Sequence, residues 1–221
     1  RFYDTAINDE EGYAKTVQFP FGFGLSYTDF DWDIAQPDLV GDAVSIDVTV
    51  TNTGDAAGKD VVQVYYSAPY NPGGIEKSAV ELGGYAKTSL LQPGASETVN
   101  VTFALRDMAS WDMGERQAYV LESGTYQIRV STDVHTVLDQ FPVEVEEEVV
   151  YEVDEVTGAA LQNRFDDADG DLTYLSRANW DGTYPGTTPP TTEASEEVLE
   201  AMSPTFEVVE GEAPVTGADN G

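Results

Sequence analysis

The sequence predicts an all-β fold, an antiparallel β-sandwich with irregular extensions at both ends. Three observations predict it. Val44 to Val50 alternates apolar and polar residues with period two, as a half-buried strand does. Further short strand-like runs follow between turn signals across residues 29–147. No amphipathic helix of ordinary length interrupts them.

Each element has its own signal. Val44, Ile46, Val48 and Val50 are expected on the inner face of their strand. Asn52-Thr53-Gly54-Asp55 turns the chain. Asp60 to Tyr66 is the next strand, stopped by Pro69 and by Asn71-Pro72-Gly73-Gly74. Val80 to Thr88 reads as a strand broken at Gly83-Gly84. Pro93-Gly94 turns into the alternating run Glu97 to Phe103. Leu105 to Trp111 reads as one helical turn. Tyr119 to Leu121, Thr125 to Val130 and Val137 to Val145 complete the set.

The flanks differ from this middle zone. Phe19-Pro20-Phe21-Gly22-Phe23-Gly24-Leu25-Ser26-Tyr27-Thr28 gathers four aromatics, two glycines and a proline, and reads as an ordered connector. Residues 148–221 are acidic and rich in Thr, Pro and Gly. Within them, Asn163 to Tyr184 holds Phe165, Leu172, Tyr174, Leu175, Trp180 and Tyr184, too many large apolar groups for a free linker. Order by docking is expected there, with Phe165 and Trp180 as anchors at a domain interface or substrate rim.

Forty-one Asp and Glu against ten Lys and Arg give a formal charge of -31. Such a surface repels nucleic-acid phosphates and anionic membranes, so neither is an expected partner. Solubility or adaptation to high salt accounts for the charge. There is no cysteine, which excludes disulfides and thiolate chemistry. The opening residues show no basic stretch followed by an apolar run, so no signal peptide is expected in this segment, and the cytoplasm is favoured over secretion.

Chemistry-bearing clusters are sparse. Asp167, Asp169 and Asp171 around Gly170 form a candidate calcium turn, but EF-hand spacing is absent, so a solvated acidic turn is expected instead. His135, the one histidine, lies between strands and is expected at the surface. Trp32, Trp111 and Trp180 have the flat apolar faces that stack on sugars, although tryptophan equally serves cores and interfaces. No cofactor motif is present, and no cofactor is expected.

The connector resembles a signature of family-3 glycoside hydrolases, the β-glucosidase family. In that family a near-identical run joins an α/β sandwich domain to a fibronectin-III-like, immunoglobulin-like sandwich. The resemblance continues, in the family's order, through Val48 to Gly54, Gly58 to Tyr65, Gly74 to Lys77, Leu82 to Thr88, Leu91 to Gly94 and Leu105 to Trp111.

The resemblance implies three zones: 1–28 as the tail of an α/β domain with the connector, 29–147 as the sandwich, and 148–221 as an acidic connector towards a (β/α)8 barrel, the swapped domain order. It implies a parent that hydrolyses terminal β-linked sugars with retention. The partners it implies are the barrel and α/β domains of the same protein and a carbohydrate substrate.

The family's nucleophilic Asp in a Ser-Asp-Trp run has only Ala178-Asn179-Trp180 as a look-alike, and a neutral amide cannot attack as a carboxylate does. No catalytic residue is therefore expected in this chain, and its expected role is structural. A carbohydrate- or protein-binding module that stands alone is the alternative.

Overall fold

In the computed structural model, residues 17–165, 174 and 176–178 are described. Their strands are, in order, β1 (Phe30–Ile34), β2 (Asp38–Val40), β3 (Ala43–Asn52), β4 (Val61–Ser67), β5 (Glu81–Lys87), β6 (Ser96–Ala104), β7 (Ser110–Asp112), β8 (Ala118–Leu121), β9 (Gly124–Ser131), β10 (Val137–Val145) and β11 (Val149–Tyr151).

All pairings are antiparallel. β3 is central to one sheet: β6 lies along one edge, while β1 and β2 share the other, opposite Val48–Asn52 and Ala43–Ser45 respectively. The facing sheet runs β10-β9-β4-β5, and a small third sheet runs β11-β8-β7. This is the antiparallel sandwich expected from the sequence.

The alternation in β3 does what period two requires. Val44, Ile46, Val48 and Val50 are all fully buried, while Ser45, Asp47, Thr49 and Thr51 face outward. They meet Val99, Val101 and Phe103 of β6 beside them, and Val62, Val64, Tyr66, Tyr126, Ile128 and Val130 of the facing sheet. Each such burial contributes about 1.5–3 kcal/mol. Tyr66 stacks on Phe103 at 6.2 Å and donates its hydroxyl to the Asp107 carbonyl at 2.8 Å, so its polar end is satisfied inside the core.

Three features differ from the sequence reading. Leu105 to Trp111 is not one helical turn: a 3-10 turn covers Leu105–Met108, and Trp111 lies in β7, paired with Tyr119. The Asp107 carboxylate caps the Ala104 N–H at 3.1 Å, and Ala109 returns at once to extended backbone. Second, Gly83 and Gly84 do not break β5. A Cβ on Gly83 would meet the Phe103 ring at 2.9 Å and one on Gly84 would meet Val101 at 2.9 Å, so the glycines let β5 lie close on β6. The pairing shifts by one residue there, as a bulge. Third, strand pairing continues past residue 147: β11 joins β8, and Val153 bridges Ala160.

Candidate domain interface

The connector is held through its backbone. Pro20 to Phe23 forms a turn closed by the Phe23 N–H on the Pro20 carbonyl at 3.1 Å, with Gly22 at φ +83°. The Gly22 carbonyl accepts from the Gln63 side-chain amide at 2.9 Å, and the same amide donates to the Thr132 carbonyl at 2.6 Å. The Gln63 amide oxygen in turn accepts from the Tyr65 hydroxyl at 2.6 Å. The Val134 N–H donates to the Phe21 carbonyl at 3.0 Å, and the Phe21 ring meets Tyr65 edge-on.

Gln63 and Tyr65 point away from the core, yet both are buried, because the connector covers them. Burial, helped by the Asp133 charge, pushes the Tyr65 hydroxyl up to about 12, so it stays a neutral donor.

The far end of the connector is pinned by Asn52, which is fully buried. Its side-chain oxygen accepts from Thr28 Oγ1 at 2.7 Å and from the Gly54 N–H at 3.1 Å, and its amide donates to the Ala56 and Leu91 carbonyls. Every polar atom of this side chain is satisfied.

The connector's side chains do the opposite of its backbone. Tyr27 is fully exposed, Leu25 is 89% exposed, and Phe19 and Phe21 each stand more than half exposed. Beside them, Leu82 and Tyr85 of β5 are also exposed, and Lys59 and Lys87 border the groove between. Phe21, Phe23 and Leu25 line this groove together with Leu82 and Tyr85, and an exposed apolar groove of this kind suits a contact surface.

A second contact joins the later chain to the sandwich. The Glu76 carboxylate accepts from Ser176 Oγ at 2.5 Å, from the Arg177 N–H at 3.1 Å and from the Tyr70 hydroxyl. The Arg177 guanidinium stacks 4.3 Å over the Tyr70 ring and donates to the Lys77 and Ser78 carbonyls. The Ser176 hydroxyl, with the Arg177 amide and Tyr70, holds the Glu76 carboxyl below its ordinary range. Beneath it, Lys77 is buried in an ion pair with Glu122.

The expected site residues fall as follows. Phe165, expected at a domain interface or substrate rim, is 73% exposed, and its N–H donates to the Asn163 side-chain oxygen at 3.0 Å. Trp180, Asn179, Asp167, Asp169 and Asp171 lie outside the described residues. His135 is exposed, in a turn whose Asp133 carboxylate accepts the His135 and Thr136 N–H groups. Among the described residues, no group of three His, Asp or Glu is placed to hold a metal. No helix among them is long and apolar enough to cross a membrane.

The sequence reading missed the Gln63–Tyr65 seat and the Glu76–Arg177 latch. The first had a signal: Val61 to Tyr66 is apolar or aromatic at both parities, the mark of a strand covered on both faces. The second joins residues about a hundred apart and left none.

Comparison with known proteins agrees with this geometry. Residues 60–134 match the family model of the fibronectin type III-like domain. The β-glucosidase A of Butyrivibrio fibrisolvens is 41% identical over 172 residues, which cover 69% of this chain and 20% of that protein. Among solved structures, β-glucosidase 3B of Thermotoga neapolitana in complex with α-D-glucose superposes with a TM-score of 0.57 at 36% identity, over 68% of this chain and 19% of that one. A β-glucosidase of Paenibacillus barengoltzii gives 0.59 at 37% identity, over 64% and 17%. The chain spans a fifth or less of the length of these relatives. It carries a fibronectin type III-like sandwich, and about two thirds of it is homologous to β-glucosidases.

Proposed function

We propose that this chain, with its fibronectin type III-like sandwich, is a non-catalytic structural region of a retaining family-3 β-glucosidase-like enzyme. It holds the catalytic α/β and barrel domains in register, and the parent hydrolyses terminal β-linked sugars. The observation that carries this reading is the connector: its backbone is fixed to the sandwich at Gln63 and Tyr65 while Phe19, Phe21, Leu25 and Tyr27 face outward. Folding orders these side chains without burying them, so their burial awaits a second surface. The implied assignment of 1–28 to an α/β tail, 29–147 to the sandwich and 148–221 to a barrel connector belongs to this proposal, as does Trp180 or Phe165 at a substrate rim.

Two measurements test it. The purified chain is expected to show no turnover of aryl β-glucosides above a mock preparation. Turnover abolished by changing one Asp or Glu within the chain would refute the non-catalytic role. Mixing the chain with separately produced catalytic domains of a β-glucosidase relative is expected to protect residues 19–27 from hydrogen exchange. No protection in a mixture that restores activity would remove the connector from the interface.

A further inference from the structure

The connector and the sheet beside it enclose an open groove of about 510 Å³. Its apolar walls are Phe21, Phe23 and Leu25 of the connector and Leu82 and Tyr85 of β5, all exposed. Cations gather at the same place. Lys59 and Lys87 line the groove, exposed, and neither forms an ion pair among the described residues. Elsewhere, Lys77, Arg106 and Arg116 each pair with a glutamate and Arg177 belongs to the latch. Arg164, in the later chain, forms no ion pair among the described residues either.

The lining carries one carboxylate, Asp60, whose oxygens accept from the Trp32 indole N–H at 2.7 Å and from the Val61 N–H at 2.9 Å. Two ammonium groups therefore stand against one carboxylate, on a chain of net charge -31. Glu97 feels the Lys59 charge from outside the lining, where it is held by Ser89. At an ionic strength of about 0.15 M, charges more than about 8 Å away are largely screened, so a partner in the groove meets its local cations first.

The neighbouring sheet face also lacks acceptors. Arg129 lies opposite Tyr65 in register across β9 and β4 and points outward between the core residues Ile128 and Val130. Its Nε is buried with no hydrogen-bond partner. The hydroxyls of Ser67 and Ser131, on the same face to either side, are buried without partners too. Buried polar groups are almost always paired, so three unpaired donors on one patch point to acceptors that another surface supplies.

We propose that the connector groove docks an acidic, apolar segment of a neighbouring domain of the same protein, whose apolar side chains fill the groove and whose carboxylates pair with Lys59 and Lys87. This rests on the structural role proposed above and adds the chemistry of the surface that meets the connector. A nucleic acid would bring phosphates without apolar side chains, and to a strongly acidic chain.

The test titrates the full chain, at about 0.15 M ionic strength, with the acetylated and amidated tetrapeptide Glu-Leu-Phe-Glu, followed by nitrogen–proton correlation spectra. Saturable shifts of the Leu25, Leu82 and Tyr85 amides are expected, with Kd on the order of 1 mM. Gln-Leu-Phe-Gln should bind about threefold to tenfold more weakly, the worth of two exposed ion pairs, and Lys-Leu-Phe-Lys more weakly still. Lys59→Gln combined with Lys87→Gln should weaken the Glu peptide by the same factor and leave the Gln peptide unchanged. Tyr85→Ser should weaken both. The proposal is overturned by no saturable shift, by a Lys peptide that binds as tightly as the Glu peptide, or by a Glu peptide indifferent to the double lysine variant. A concentration-dependent dimer that the double variant dissolves would give the groove to a second copy and also overturn it. A Glu peptide that fails while catalytic domains still protect residues 19–27 overturns this proposal alone. Loss of that protection with peptide binding intact overturns the structural role, and with it the neighbouring domain as occupant.

Discussion

Gly22 occupies a position that no side chain can share. A Cβ there would lie 2.0 Å from Gln63 Oε1, and the backbone sits at φ +83°. Left-handed backbone costs a non-glycine residue about 1–2 kcal/mol, and the clash falls on the atom that receives the Tyr65 hydroxyl. Gly22→Ala is expected to release the connector turn without unfolding the sandwich. The readout is faster hydrogen exchange at the Val134 N–H, which the Phe21 carbonyl holds; unchanged protection would show that the turn does not depend on this glycine. Val48 lies at the other extreme. It is fully buried among valines, and no cation is near to pair with a new charge. Val48→Asp should lower stability by about 3 kcal/mol or more, read as the shift in a urea unfolding midpoint. A small shift would mean that the strand register is wrong.

At the scale of elements, β5 shows how a pair of glycines can shape a strand. Gly83→Ala should force the Phe103 ring aside or lift β5 from β6, and a fall in melting temperature of several degrees is expected. The latch from residues 176–177 to Glu76 gives a pH-dependent expectation. Its carboxyl is held below the ordinary glutamate value of 4.5, so the latch adds stability above that value and loses it as pH falls through the depressed one. Exchange protection of the Arg177 N–H should therefore hold at neutral pH and vanish in acid below 4.5, and in Glu76→Gln it should be weaker at neutral pH and flat with pH. Protection that persists in acid would remove Glu76 from the latch.

These elements also show what a sequence can reveal. β3, β6 and β9 announce themselves because their partners impose a two-residue period on one face, and β4 by an apolar run covered on both faces. Trp111 misled because a 3-10 turn and a three-residue strand share a stretch too short to carry any period. The glycines of β5 read as a break because the ring they accommodate lies on another strand. The latch and the Gln63 seat depend on contacts far apart in the chain, and local pattern carries only the second, through the double-sided apolarity of β4.

At the scale of the whole molecule, charge dominates. Forty-one acids face ten bases, and the ion pairs among the described residues include Lys77–Glu122, Arg106–Glu155 and Arg116–Glu148. Two of these sit at the surface, where a pair is worth about 1 kcal/mol or less. Attraction between side chains therefore offsets little of the repulsion among carboxylates. The folded chain gathers these charges closer than the unfolded chain does, so repulsion counts against folding. Salt acts on that term first. Raising ionic strength from about 0.01 M to about 1 M shortens the screening length from about 30 Å to about 3 Å. The valine core is uncharged and feels little of this directly, while the ion pairs lost to screening are few and mostly weak. Screening should then stabilise on balance. Melting temperature is expected to rise by several degrees across that range of sodium chloride, most steeply at the low end. Chloride is the proper anion for the measurement, because sulfate would also strengthen apolar burial. A melting temperature that stays flat, or falls, would mean that the carboxylates are spaced widely enough for water alone to screen them, and that the charge of -31 weighs little on the stability of this fold.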